Sequence, residues 1–232
     1  MRPKNQASES LATLISSQEE LFGVSAQMIW QKGLCKKLSL PKDTRPDLPN
    51  SFSSVALILH PKKTSLENPT LYDSTGLLWI QRATNPKDPW SGHMAFPGGR
   101  QDPEDRDSLA TAIRETREEI GLGLEKLNCL GHLRAIRARN RMGSKGFQVV
   151  PLVFWVDHLP EFILDTSEVA AVHSLSLKEL TVRENRSKHR IQSPEGKWSF
   201  PCIHVADRMI WGLSFKMLDD LLRRLRELPE WK

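Results

Sequence analysis

Two short apolar runs, SVALILH from Ser54 to His60 and GLLWIQR from Gly76 to Arg82, stand on either side of a polar, proline-containing connection. They read as strands. After the loop NPKDPWSGHMAFPGG the periodicity changes, and Asp107 to Ile120 becomes helical, with Gly121 as its stop. On a helical projection Leu109, Ala112, Ile113, Thr116 and Ile120 share one arc, a core face; Ser108, Thr111, Glu115, Glu118 and Glu119 share the opposing arc. The small residues of that second arc are expected to leave room for a ligand. Cys129 to Ala138 and Phe147 to Val156 read as a strand pair around the basic loop RNRMGSKG. Val169 to Leu175 is a shorter strand, and Ser176 to Leu180 opens a brief helix. A last helix has Ser214 as its expected N-cap and Met217, Leu218, Leu221, Leu222, Leu225 and Leu228 as its apolar stripe. Strands, helix, strands and helix in this order imply an α/β fold with a mixed sheet between helices.

Upstream, Leu11, Leu14, Ile15, Leu21, Phe22, Met28, Ile29 and Trp30 recur at roughly helical intervals. LPKDTRPDLPN, from Leu40 to Asn50, has three prolines and reads as a linker. The expected organisation is therefore a helical extension with a Pro-rich linker over 1–50 and a main domain over 51–232. An extension of that size is too small to fold alone.

Composition changes little. The chain has 232 residues, 39% of them hydrophobic and 26% charged, which is ordinary for a globular protein with a sizeable core. A net charge of +5 permits an anionic partner such as a nucleotide, a phosphorylated cofactor or RNA. Cys35, Cys129 and Cys202 are widely spaced and form no CxxC pair, so neither a disulfide framework nor a zinc ribbon is expected. That leaves a reducing compartment, the cytoplasm, as the expected location. No run of apolar residues is long enough to cross a membrane.

The acidic helix is where chemistry enters. Glu115, Glu118 and Glu119 lie on one face in its C-terminal half, where like charges repel by roughly 0.2–0.5 kcal/mol per pair. The negative end of the helix dipole adds to that cost. A cation over the three carboxylates would remove the conflict, and an all-oxygen ligand set suits Mg²⁺ or Mn²⁺. Arg114, four positions before Glu118, is placed to orient it. Gly98 and Gly99 upstream allow a tight turn to bring backbone groups towards the helix.

PGG followed by RETREEIGL resembles the signature of the Nudix hydrolases: Arg-Glu, two residues, Glu-Glu, one residue, Gly and an apolar residue. Arg114, Glu115, Glu118, Glu119, Gly121 and Leu122 match it position by position. Thr116 stands where an apolar residue is commoner. Gly99 is one residue further from Arg114 than in the common form, leaving Asp102 and Asp105 as the nearest acids to the family's upstream glutamate. That longer spacing, FPGG before it, and GFQVVPLVFWV, SEVAAV and MIWGLSFKML resemble the coenzyme A pyrophosphatase branch. The branch's upstream text is altered here: Arg82 is followed by Ala83, and Trp90-Ser91-Gly92 is followed by His93.

The resemblance implies a Nudix fold, an α/β/α sandwich with a mixed central sheet. It also implies metal-dependent hydrolysis of a diphosphate, with coenzyme A or its derivatives giving 3′,5′-ADP and 4′-phosphopantetheine. An ADP-ribose-type or sugar-linked nucleotide is the alternative substrate. A ligand-sensing or RNA-binding Nudix module is a third class, disfavoured because all three carboxylates are kept. Glu115, Glu118 and Glu119 would be the metal ligands. The family often has a base before its last strand, the place Glu168 occupies in SEVAAV, although one of the helix glutamates would also serve. Arg114 completes the catalytic set; Arg82, Gly98 and Gly99 join the substrate site. Arg134, Arg137, Arg139, Arg141 and Lys145 form a basic cluster in which Arg137 and Arg139 are expected to contact phosphates. Of the tryptophans at 79, 90, 155, 198 and 211, Trp90 is the exception to an expected packing role. The expected partner is a small-molecule nucleoside diphosphate rather than a membrane or nucleic acid, and a homodimer is compatible with the sequence.

Overall fold

The computed structural model describes residues 30–38, 52–66, 70–86, 90–138, 147–193 and 196–228. The apolar positions before Trp30 and the expected linker lie outside the described residues. Helix α1 spans 30–37. Strands β1 (Phe52–Pro61), β2 (Thr75–Arg82), β3 (Met94–Ala95) and β4 (Gly98–Arg100) lead to helix α2 (Ser108–Ile120). Strands β5 (Cys129–His132), β6 (Ile136–Ala138), β7 (Phe147–Trp155), β8 (Val169–Ser176), β9 (Arg186–Ser193), β10 (Gly196–Val205) and β11 (Arg208–Trp211) precede helix α3 (Gly212–Arg226).

Among the described residues, β1 to β8 form one mixed sheet. At its centre β1 runs parallel to β7 and antiparallel to β2 and β4. β1 reads as a continuous apolar run because both of its faces are covered. Ala56 and Ile58 join Leu78, Ile80, Leu109, Ala112 and Ile120 beneath α2. Leu57 and Leu59 join Leu77, Trp79, Leu218, Leu221 and Leu222 beneath α3. The mixed sheet between helices is therefore present.

Three local expectations are corrected and one sheet is added. Cys129 to Ala138 is two strands, because β5 pairs with Phe154–Leu152 and β6 with Val149–Phe147, leaving Pro151 opposite the break. Pro151 has no N–H to donate, so an antiparallel partner cannot hydrogen-bond continuously past it. Ser214 lies inside α3, whose N-cap is Trp211, and its hydroxyl donates to the Met94 carbonyl at 3.1 Å. The brief helix expected from Ser176 is a single 3-10 turn, Glu179–Thr181. Finally β9, β10 and β11 form a separate antiparallel sheet that the pattern did not reveal. The strands β9 (RSKHRIQS) and most of β10 are exposed or half-buried, so no apolar alternation marks them.

Helix α1 belongs to the same core as the main sheet, although it falls within the segment expected to be an extension. Trp30 is 1% exposed and packs edge-on against Trp155 with ring centroids 5.6 Å apart, and Leu34 and Leu38 continue the contact. Lys37 pairs with Glu227 at 2.9 Å beyond the end of α3. Trp30→Ala is expected to destabilise the protein by about 3–5 kcal/mol, the usual cost of emptying a buried aromatic site. Urea unfolding checks this, and a loss under about 1 kcal/mol would mean that α1 is dispensable to the core.

Candidate active site

Helix α2 is held at both ends by local caps; Gly121 is the expected stop, whereas Asp107, expected as the first helical residue, is the N-cap. The Asp107 carboxylate accepts the Ala110 N–H at 2.8 Å as N-cap. Gly121 takes a left-handed conformation (φ 70°) and its N–H donates to the Arg117 carbonyl. The carboxylate arc, however, is largely covered by protein, with Glu118 at its exposed edge. Ser108 and Thr111 are fully buried, so they leave no open space for a ligand. Glu119 is only 3% exposed.

Burial gives the three glutamates different environments. The Glu119 carboxylate accepts the Gly98 N–H at 2.8 Å. Desolvation pushes its pKa up to about 8; the Gly98 bond and the charge of Arg82 oppose the rise, while Glu115 and Glu168 reinforce it. Glu115 is also raised, first by burial, against the opposing charge of Arg114. Glu118 is more exposed and pairs with Arg114 at 2.8 Å, the orienting contact its spacing predicts.

The tight turn expected at Gly98 and Gly99 is instead part of strand β4, paired antiparallel with β1, and a side chain at either position would meet a close neighbour. Gly98 has φ 145°, and a Cβ there would come 2.2 Å from the Ser54 carbonyl oxygen of β1. A Cβ on Gly99 would come 2.5 Å from the Glu115 carboxylate. Bare backbone thus lets both carboxylates close onto β4.

Arg114 is the hub of the cluster. It holds Asp105 at 2.8 Å, Glu115 at 3.0 Å and Glu118 at 2.8 Å, and it donates to the Arg100 carbonyl at 3.0 Å. Burial works against the ionised form of Asp105, but the hydrogen bonds from Arg114 and the Asp102 N–H outweigh it and hold its pKa below the usual carboxylate value. Sequence alone left Asp102 and Asp105 equivalent. The turn decides between them: the Asp105 N–H donates to the Asp102 carbonyl, the Asp102 N–H donates back to the Asp105 carboxylate, and that carboxylate is turned onto Arg114.

Glu168 reaches the same place from a distant part of the chain. The Asp165 N–H donates to the Glu119 carbonyl and the Ile163 N–H to the Ile120 carbonyl, so the loop caps the end of α2. Asp165 then accepts backbone bonds from Glu168 and Val169, and the Glu168 carbonyl accepts the Ala83 N–H at 2.8 Å. This places Glu168 beside Arg82 and close enough to Glu115 and Glu119 to raise the pKa of both. Near Arg82, whose N–H donates to the His93 carbonyl, Trp90 is 49% exposed and faces His93 and Trp211. Trp79 and Trp155 are buried as expected, whereas Trp198 is 51% exposed.

The structure therefore brings together Glu115, Glu119, Arg114, Glu168, Arg82, Gly98 and Gly99, with Glu118 at the rim. Arg137 is not among them; it lines a cleft against α3. Arg139 lies outside the described residues. Among the described residues no three acidic, His or Cys side chains already stand as a closed set around an ion. The donor chemistry still fits a hard divalent cation, since Glu115 and Glu119 offer only oxygen and each is raised by the charge of neighbouring carboxylates.

Residues 69–196 match the NUDIX domain, and the chain belongs to the Nudix family. It is a Nudix hydrolase, an enzyme class acting on the diphosphate link of nucleoside diphosphate derivatives and generally using divalent metal ions. It is 27% identical to "Nudix hydrolase 3" of Caenorhabditis elegans over 88% of this chain and 93% of the relative. It is 30% identical to "Mitochondrial coenzyme A diphosphatase NUDT8" of Mus musculus, over 64% of this chain and 70% of the relative. Among solved structures, the NUDIX domain of Shewanella oneidensis NrtR complexed with ADP ribose aligns with TM-score 0.46 at 15% identity, covering 81% of this chain and 91% of that one.

Proposed function

We propose that the protein hydrolyses the diphosphate bond of coenzyme A or its derivatives, releasing 3′,5′-ADP and the 4′-phosphopantetheine portion. The observation that carries the diphosphatase chemistry is the convergence of Glu115, Glu119 and Glu168 over the Gly98–Gly99 backbone of β4. The substrate choice draws support from the FPGG text with its long spacing to Arg114, and from a relative that is itself named a coenzyme A diphosphatase.

In this reading Glu115, Glu118 and Glu119 hold Mg²⁺ or Mn²⁺. Such an ion, when bound, neutralises phosphate oxygens and makes a water more acidic. The remaining roles belong to the chain. Arg114 fixes the rotamers of Glu115 and Glu118 by standing between them and Asp105. Gly98 and Gly99 let substrate phosphate approach the backbone of β4. Arg82 supplies positive charge for a phosphate oxygen, and Glu168, on a loop tied to the end of α2, accepts the proton from the attacking water. Three free cysteines fit a reducing setting, the cytoplasm; mitochondrial import of the tagged chain would overturn that placement.

A second substrate reading, an ADP-ribose-type or sugar-linked nucleotide, is favoured by the altered text at Arg82–Ala83 and at Trp90–His93. A panel of both substrate types, run with Mg²⁺ and with Mn²⁺ and followed by product mass, separates them. Coenzyme A is expected to give 4′-phosphopantetheine at the highest kcat/KM. Cleavage of ADP-ribose with coenzyme A untouched would defeat the proposed substrate while leaving the diphosphatase chemistry standing.

A further inference from the structure

The break opposite Pro151 opens a cleft of about 490 Å³ between α3 and the segment that joins β5 to β6. Leu133, Pro151 and Met217 contribute to an apolar floor, all three buried. Arg134, Arg137, Lys216 and Arg223 contribute positive charge, against one carboxylate, Asp220. That carboxylate is already engaged, paired with Arg223 at 2.5 Å and with Arg224 at 3.4 Å. No ion pair or side-chain hydrogen bond within the described residues engages the side chains of Arg134, Arg137 or Lys216. Three uncompensated cations from two separate elements thus meet around one concavity.

The cleft is separate from the carboxylate cluster. Leu133 and Met217 belong to the core beneath α3, whereas α2 packs on the other face of the sheet. Arg100, Ser53, Val149 and Ile136 face one another on four successive strands, β4, β1, β7 and β6. Three strand spacings put β6 about 14 Å from β4 and its glycines. The phosphates of a nucleotide held at Glu115 and Glu119 would have to cross that width and pass to the other face.

We propose that this cleft is a second, independent anion site that binds a small molecule carrying two or more phosphates. Guanidinium and ammonium groups are the usual partners of phosphate oxygens. The volume lies within the range of small-ligand sites and exceeds the needs of a single phosphate. Among the described residues the lining has no aromatic ring on which a base could stack, so recognition here is of phosphate charge.

Inorganic pyrophosphate in metal-free buffer with EDTA is the probe, titrated calorimetrically into the full chain, the double variant Arg134→Ala/Lys216→Ala, and Glu119→Gln. Wild type and Glu119→Gln should bind with the same affinity, and the double variant should bind at least about tenfold more weakly. Without pyrophosphate, the double variant's turnover of the preferred substrate should be unchanged, since neither residue serves the carboxylate cluster. Near-UV circular dichroism checks folding, and the exposed Lys216→Glu provides a second, charge-reversed arm with the same expected loss. No binding by wild type, equal binding by the cleft variants, or loss of binding only in Glu119→Gln would overturn the proposal. So would a short single-stranded RNA that binds through Arg134 and Lys216 while pyrophosphate does not. The diphosphatase reading stands or falls on turnover instead, so the two can fail separately.

Discussion

Glu119→Gln is expected to lower turnover by at least about 10²-fold while the fold survives, a loss at or beyond the upper end of that seen when a partner of a metal ligand is removed. The expectation rests on two properties of this carboxylate. It is nearly inaccessible, and the Gly98 N–H holds it at 2.8 Å, so its position is set by backbone. It also stands near two other negative charges, Glu115 and Glu168. Glutamine keeps the shape and can keep the Gly98 bond but cannot carry charge to a cation. Stability should therefore hold, because replacing a desolvated carboxyl by a neutral amide removes no packing. A thermal-shift measurement separates loss of metal from loss of fold. At a concentration 100 times its Kd, Mg²⁺ or Mn²⁺ would stabilise the native wild type by about 2.7 kcal/mol. For a chain of this size that is a rise in Tm of roughly 5–10 °C. The variant should show no such rise. Unchanged turnover in Glu119→Gln would remove Glu119 from the metal site.

The two glycines beneath the helix are expected to fail in different ways. Gly98→Ala places a side chain at φ 145°, a region that costs a non-glycine residue about 1–3 kcal/mol. It also drives the new Cβ to 2.2 Å from the Ser54 carbonyl, a backbone atom of the central strand. That oxygen cannot swing aside as a flexible side chain would, so β4 must separate from β1. The expected loss is about 3 kcal/mol or more, or a fall in Tm of roughly 6–12 °C, with turnover lost alongside. Gly99→Ala meets the end of the Glu115 side chain at 2.5 Å, which can rotate away. Its stability cost should be about 1 kcal/mol, with turnover falling roughly 10–100-fold as Glu115 leaves its place. Thermal unfolding and steady-state kinetics on both variants test the contrast. Equal stability losses would show that the φ angle and the Ser54 contact do not govern Gly98.

Much of the scaffold was legible because it depends on short-range patterns. The apolar runs of β1 and β2, the C-cap Gly121 and the leucine stripe of α3 all depend on nearest neighbours in sequence. The antiparallel sheet β9–β10–β11 was not legible. Its stability comes from cross-strand hydrogen bonds and from Ile203, Val205 and Ile210 packing in the core under α3, while the rest of its surface reads as loop. Pro151 was read inside a strand, yet its consequence fell on the neighbouring segment, which could be known only once β5 and β6 were paired with β7.

By itself the sequence determined the acidic helix, its Gly121 stop and the Arg114–Glu118 pairing, since each is a spacing of a few residues. It also carried enough of the Nudix signature to identify the family. Tertiary structure alone decided that Asp105 rather than Asp102 holds Arg114 and that Glu119 is buried while Glu118 is not. It decided too that Glu168 closes on the same cluster and that Arg137 faces α3 instead. The reason is that desolvation and charge proximity depend on which strands and loops lie against a residue, and those neighbours are fixed by pairings between parts of the chain far apart in sequence.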